Sequence, residues 1–349
     1  MQQQKALIAM SGGVDSSVAA YLAGQAGFSC IGATMQLHPE DASRQIADAQ
    51  SVALRLGIPF YAWDYRQEFR THVMDAFVGS YESGLTPNPC VVCNRYLKFG
   101  AFMDKAKALG CSYVVTGHYA RIVQNSAGRF MLKKAVDEGK DQSYFLYALT
   151  QEQLAHTLFP LGELSKAQAR EIAEAQGFLT AKKKDSQDIC FVPDGDYLAF
   201  MIRHTGKSYA PGDFLDQSGK IIGRHKGAVG YTLGQRKGLG IAMGEPVYVC
   251  GKDIEKNTVT VGPNEALMRR SLLANDWFWQ SIPQLDTPIR VLAKTRSRMT
   301  EQPATVYPEE NGFARVVFDE PQRAITPGQA VVLYDGDIVV GGGTITEVL

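Results

Sequence analysis

The string Ala9-Met10-Ser11-Gly12-Gly13-Val14-Asp15-Ser16-Ser17 follows directly on a short apolar run, Ala6-Leu7-Ile8. It reads as strand, tight loop and helix start. The paired glycines let the backbone turn sharply and bring its N–H groups up to an anion. Ser11, Ser16 and Ser17 add hydroxyl donors, and the following helix contributes the partial positive charge of its N-terminus. The loop is not a Walker A motif, because no Gly-Lys-Ser/Thr follows, and not a dinucleotide fingerprint, because G-x-G-x-x-G is absent. A lone Gly-Gly would read as an ordinary turn; the full string at a strand–helix junction reads as a phosphate loop.

The first half of the chain alternates strand and helix. Strands are predicted over Ser29–Met35, Ile58–Asp64 and Tyr113–Thr116, the last leading into Gly117-His118-Tyr119. Helices are predicted over Glu40–Leu56, Gln67–Ser83 and Arg95–Leu109, each followed by a glycine: Gly57, Gly84 and Gly110. This rhythm predicts an α/β fold with a parallel sheet covered on both faces. Ligands of such sheets lie at the carboxyl ends of the strands, where the phosphate loop, Met35, the segment after Gly84 and Gly117-His118 would collect. From Asp141 to Arg203 the pattern is helical, over Gln151–Leu158, Ser165–Gln176 and Asp196–Arg203. After Gly206 short apolar runs alternate with Gly, Asn, Asp and Pro: Ala228–Tyr231, Val247–Val249 and Thr258–Val261. A second β-rich block follows Ser271, with Ile289–Leu292, Ala304–Tyr307, Phe313–Phe318, Ala330–Tyr334 and Ile338–Val340, spaced as in a small barrel.

The chain has 349 residues, enough for two or three domains, and no apolar run long enough to span a membrane. Met1-Gln2-Gln3-Gln4-Lys5 leads straight into the first strand, so no signal peptide is expected and the protein reads as cytoplasmic. The formal net charge is zero, which argues against a coat of basic charge and leaves room for a local basic face.

Six cysteines in a chain of this size do not suggest a disulfide scaffold. Thr86-Pro87-Asn88-Pro89-Cys90-Val91-Val92-Cys93-Asn94 reads as a proline-set loop holding a C-x-x-C. Alone, that motif fits zinc, a redox pair or coincidence, and the second C-x-x-C or H-x-H of a zinc site is missing. Cys190 lies far away, in Asp185-Ser186-Gln187-Asp188-Ile189-Cys190-Phe191. Cys30, Cys111 and Cys250 read as buried small hydrophobes.

Two resemblances sharpen this reading. The loop Ser11–Ser17 resembles the PP-loop of ATP pyrophosphatases, which cleave ATP between the α- and β-phosphates and leave AMP on an oxygen of the substrate. A wider set of strings resembles the tRNA-specific 2-thiouridylase family: Thr86–Asn94, Thr116–Arg121, Lys140–Leu146, Asp188–Phe191, Gly230–Gly240 and Pro321–Ala330. It spans nearly the whole chain. The resemblance implies a PP-loop (adenine nucleotide alpha hydrolase-like) catalytic domain over 1–205, a small central β-rich domain over 206–270, and a C-terminal β-barrel over 271–349 that helps hold tRNA. It implies ATP-dependent 2-thiolation of the wobble uridine, U34, with Mg²⁺ as cofactor. ATP would be held by Ala9, Met10, Ser11, Gly12, Gly13, Val14, Asp15, Ser16, Met35 and Gly117. The cysteine matching Cys190 would carry sulfur as a persulfide, and the one matching Cys93 would attack or resolve it, leaving a disulfide. Asn88, Pro89, Cys90, His118, Lys140, Asp141, Gln142, Arg296, Ser297 and Gln329 would touch tRNA. The implied partners are the anticodon stem-loop of tRNAs with U34 and a sulfur-relay or cysteine desulfurase donor, with no membrane.

One departure stands out. The family commonly has Asp where this chain has Cys90. Cys90, Cys93 and Cys190 then become candidate ligands of a [4Fe–4S] cluster with one open iron, an alternative sulfur route. The segment Gln36–Asp48 is short for the family. Lys182-Lys183-Lys184, just upstream of Cys190, offers either a field that lowers a thiol pKa or a solvated face or phosphate contact. Further basic clusters occur at Lys133-Lys134, Arg224-His225-Lys226, Arg236-Lys237 and Lys294–Arg298. A PP-loop ligase or amidotransferase of the argininosuccinate- or GMP-synthetase type is the competing class. It would need neither Cys93 nor Cys190.

Overall fold

The computed structural model describes residues 3–38, 42–181, 183, 189–241 and 244–349. Strands β1 (Lys5–Ala9), β2 (Ser29–Gln36), β3 (Phe60–Asp64), β4 (Tyr113–Val115) and, later in the chain, a short Thr157–Leu158 strand form one parallel sheet. Leu7 and Ile8 are fully buried on opposite faces, as a continuous apolar run in a doubly covered sheet requires. The sheet runs β3-β2-β1-β4 and then the short strand. The strand order therefore reverses at β1, with β2 on one side and β4 on the other, and the loops leaving β1 and β4 open a crevice there. The last strand was read as helix from sequence. Two paired residues beyond a five-residue helix, Gln151–Ala155, are too few to show a period.

Between β4 and that strand the chain makes a hairpin, β5 (Arg121–Gln124) and β6 (Phe130–Lys133), which leaves the parallel sheet altogether. In the central domain β8 (Gly212–Leu215), β9 (Ile221–His225), β10 (Tyr248–Asp253) and β11 (Thr258–Gly262) form a four-stranded sheet, with the Thr157–Leu158 strand counted as β7. The run at Ala228, predicted extended, is instead a 3₁₀ turn over Ala228–Gly230.

The C-terminal strands are β12 (Met268–Trp279), β13 (Ile289–Lys294), β14 (Gln302–Pro308), β15 (Ala314–Arg323), β16 (Ala330–Asp335) and β17 (Ile338–Val348). They run β12-β15-β14-β13-β16-β17, and β17 pairs back on β12 to close the barrel. The hairpin extends this barrel, because Lys133 of β6 pairs with Ile338 of β17. At the hairpin tip Arg129 donates to the carbonyls of Trp279, Gln280 and Ile282 at 2.6–2.8 Å. In return Gln280 donates to Tyr147 O and Leu149 O, and the Tyr144 hydroxyl donates to Ala330 O. The interface between the N-terminal domain and the barrel is thus made of shared sheet and satisfied buried carbonyls, the kind of contact that fixes relative position.

Among the described residues no helix is long and apolar enough to cross a membrane.

Candidate functional site

The phosphate loop sits where the strand order reverses. Gly12 has φ +68°, and a Cβ there would lie 2.6 Å from Gln45 O, so only glycine fits. Gly13 caps the helix Val14–Gln25 in an extended conformation. Ser16 Oγ accepts from Ser11 N at 3.1 Å, and Ser17 Oγ donates to Gly13 O at 2.8 Å, so these two hydroxyls brace the loop. Gly117, at the end of β4, packs flat on the helix start: a Cβ would meet Asp15 C at 2.6 Å and Ser16 N at 2.7 Å. Met10 is buried and hydrogen-bonded to β2 through Ala33 and Thr34, and Met35 lies one residue further along that strand.

Two lysines absent from the sequence-based set, or present for another reason, flank the loop. Lys166 Nζ lies 2.8 Å from each oxygen of Asp15, and the Tyr119 hydroxyl donates to Asp15 Oδ1 at 2.9 Å. Lys183 Nζ donates to Gly12 O and Asp48 Oδ2, both at 3.0 Å. The loop therefore offers backbone N–H groups, a helix N-terminus and two adjacent ammonium groups, a set suited to a triphosphate. Asp15 stands with its carboxylate on Lys166. The described residues provide no ready carboxylate set for Mg²⁺ beside it.

The cysteine motif is helical rather than a loop. Pro89 occupies the first position of the helix Pro89–Cys93, behind Asn88, and the helix continues as a π-helical stretch, Asn94–Ala101. Proline is tolerated at that position because its missing N–H has no intrahelical acceptor there. The π stretch has a consequence for electrostatics. On an α-helix residues five apart point about 140° from one another, whereas i→i+5 bonding turns them toward one side. Lys98, on this stretch five residues after Cys93, acts on Cys90, Cys93 and Cys190 together, favouring the thiolate in each. Burial opposes it and wins. All three thiols are raised, and Cys190 is pushed up to about 12, by burial first and then by Cys93 and Cys90. Cys93 and Ile189 also pack on one apolar cluster with buried Phe191. Cys90 and Cys190 keep an exposed edge.

Among the described residues Lys98 supplies the field on the thiols; the run Lys182–Lys184 reads from sequence as either such a field or a solvated face or phosphate contact, and only Lys183 of it is described. Lys182, Lys184 and Asp185–Asp188 lie outside the described residues, and Lys183 is engaged at the phosphate loop. Lys98 Nζ also lies 3.4 Å from His118 Nε2. An ammonium only donates, so Nε2 accepts and the ring proton sits on Nδ1, donating to Thr116 Oγ1 at 2.7 Å. Burial, then Lys98, holds His118 well below the ordinary histidine pKa, so the ring is neutral.

Among the described residues no three or more His, Cys, Asp or Glu side chains are arranged to hold a metal ion.

A cleft of about 1410 Å³ opens where all three domains meet. Of the residues expected to touch tRNA, Asn88, Pro89, Cys90, Lys140, Asp141, Arg296, Ser297 and Gln329 line it. His118 is buried behind it. Gln142 is turned away to hold Tyr119, accepting from its N–H at 2.9 Å. Asp141 accepts from Ala135 N, Ser143 N and Ser143 Oγ, so it braces the cleft wall. Arg296 is mostly buried, and its Nη2 lies within 3.0 Å of Leu233 O, Ala324 O and Thr326 Oγ1. Cys30 and Cys111 are buried, as read from sequence, and Cys250 is half-buried on β10.

Three family profiles match the chain in order: a tRNA methyl transferase HUP domain over residues 4–194, a tRNA methyl transferase PRC-barrel domain over 199–263, and an aminomethyltransferase β-barrel domain over 269–345. The tRNA-specific 2-thiouridylase MnmA of Clostridioides difficile is 48% identical over 99% of this chain and 99% of its own length. That of Symbiobacterium thermophilum is 49% identical over 99% of this chain and 93% of its own. The chain belongs to the tRNA-specific 2-thiouridylase family. Moorella thermoacetica has another such relative, 49% identical over 98% of this chain and 99% of its own. Among solved structures, a 4-thiouridine synthetase–RNA complex with bound ATP aligns at 18% identity over 54% of this chain and 45% of that one, with a TM-score of 0.38, too low to carry weight. Membership in the 2-thiouridylase family sets the competing ligase class aside.

Proposed function

We propose that this protein uses ATP to replace the C2 oxygen of U34 in tRNA with sulfur, in the cytoplasm. The observation that carries the reading is the meeting of Cys93 and Cys190, about a hundred residues apart in sequence, beside a cleft lined by all three domains. The uracil O2 attacks the α-phosphorus of ATP and pyrophosphate leaves, its charge met by the loop N–H groups with Lys166 and Lys183. Adenylation turns a poor leaving group into AMP. A Cys190 persulfide, charged by a donor protein, attacks C2 through its terminal sulfur, and AMP departs with the oxygen. Cys93 thiolate then attacks the Cys190 sulfur. The S–S bond to the base breaks, sulfur stays on C2, and a Cys93–Cys190 disulfide forms. A thiol reductant of two electrons resets it for the next cycle. Mg²⁺, when bound with ATP, would neutralise phosphate charge, held chiefly by the triphosphate itself.

Reconstitution with unmodified tRNA, ATP and a persulfide donor tests this reading. Pyrophosphate release dependent on tRNA, and one 2-thiouridine at position 34, are the expected products. Pyrophosphate release driven by a small amino acid and indifferent to tRNA would overturn it. Iron and sulfide analysis of anaerobically purified protein checks the persulfide route, which predicts turnover without bound iron.

A further inference from the structure

Two lysines from different domains meet on the wall of the cleft. Lys134 follows β6 in the catalytic domain, and Lys294 ends β13 in the barrel. Lys134 Nζ lies 2.6 Å and Lys294 Nζ 3.2 Å from one and the same oxygen, Oε1 of Glu301. Both ammonium groups also lie against the Tyr334 ring, at 4.7 and 5.4 Å from its centroid. The three charged side chains are mostly buried, at 17%, 13% and 14% exposure, yet all three line the cleft.

The charges do not balance. Two ammonium groups share one carboxylate, so the trio itself carries one net positive charge in a mostly buried place. Asp141, also on the cleft wall, accepts from Ala135 N and from Ser143, whose hydroxyl also meets the Tyr334 hydroxyl at 3.3 Å. Each ammonium carries three N–H donors, and one from each is directed to Glu301. The aromatic face attracts the cations without supplying a lone pair. A group with negative charge and several acceptor oxygens would satisfy the remaining donors and the surplus charge together. The lysines are also already ordered, by the ring and the carboxylate, so little side-chain freedom is lost when an anion arrives.

We propose that Lys134 and Lys294 form a built site for one backbone phosphate of the bound RNA strand, with Glu301 holding the pair in register while the site is empty. This rests on the tRNA reading above and adds a subsite to it. Because the two lysines belong to different domains, a phosphate bound here spans the joint between catalytic domain and barrel.

The test is a fluorescence titration of the full-length protein with an anticodon stem-loop RNA carrying U34, at several salt concentrations, with a thermal melt of each variant. Lys134→Ala and Lys294→Ala should each weaken binding by roughly tenfold near 0.1 M salt. Each should also flatten the plot of log K against log salt by about 0.7–0.9. The double variant should flatten it no further, because both lysines serve one phosphate. Glu301→Gln should bind several-fold tighter, since a competing carboxylate is gone. Wild-type affinity and slope in both lysine variants would overturn the site. So would Glu301→Gln binding weaker in step with a lower melting temperature, which would make the trio a structural latch. A wild-type protein that binds no such RNA would instead bring down the tRNA reading itself, and this subsite with it.

Discussion

Gln329 of the barrel holds Thr86 of the catalytic domain: its Nε2 lies 2.9 Å from Thr86 O and 3.1 Å from Pro87 O. The contact is reinforced on both sides. Thr86 N donates to Pro327 O at 2.9 Å, and a Cβ at Gly328, where φ is +89°, would lie 2.8 Å from Thr86 N. The barrel thereby fixes the segment that enters the cysteine helix. Gln329→Ala should lower the rate of thiolation by roughly tenfold to a hundredfold, the cost of slight misplacement of a reacting group. ATP binding should be little changed. Gly328→Val should do the same more severely. Single-turnover thiolation beside a nucleotide-binding assay checks this, and equal losses in both would mean general unfolding.

Asp15 and Lys166 act as a pair at the phosphate loop. Asp15→Ala should abolish tRNA-stimulated pyrophosphate release while largely preserving tRNA affinity. Lys166→Met should be comparably damaging. The double variant should be far less than additive, since each single change already breaks the same contact. A double-mutant cycle on pyrophosphate release reads this directly, and strict additivity would argue that the two groups act separately.

Cys93→Ser and Cys190→Ser should each stop thiolation and leave adenylation of the uridine measurable. Cys30→Ser, Cys111→Ser and Cys250→Ser should alter stability at most, because these thiols are packed away from the cleft or on the central domain. Thiolated nucleoside analysis beside pyrophosphate release separates the two steps. Normal thiolation by the Cys190 variant would remove the sulfur route.

The thiols also predict a pH dependence. Burial, then the neighbouring thiols, pushes the Cys190 pKa up to about 12. A raised thiol pKa means the proton is held below it, so the reactive thiolate grows as pH rises. Alkylation of Cys190 by iodoacetamide should therefore be slow at pH 7–8 and still climbing beyond the ordinary thiol range. Lys98→Met should slow it further, because the cation that, among the described residues, lowers these pKa values is removed. A plateau near pH 9 in the wild type would contradict the burial argument.

The phosphate loop was legible because its requirements are local: Gly12 needs a left-handed φ, and the serines reach atoms within a few residues. The parallel sheet followed from strand–helix rhythm, and the two β-rich blocks from turn residues between apolar runs. The sequence strings likewise named Cys93 and Cys190. Sequence did not give their surroundings. Lys98 stands on a π-helical stretch and acts on thiols from two distant segments, neither of which the 3.6-residue period of an α-helix would suggest. Lys166 stands 151 residues from Asp15, and Gln329 stands 243 from Thr86. The hairpin β5–β6 reads as part of one domain and pairs with another. Local conformation and chemistry are set by neighbouring residues and could be read along the chain. Which distant charge balances which, and which domain holds the cysteine helix in place, depends on long-range packing, and only the tertiary structure decided it.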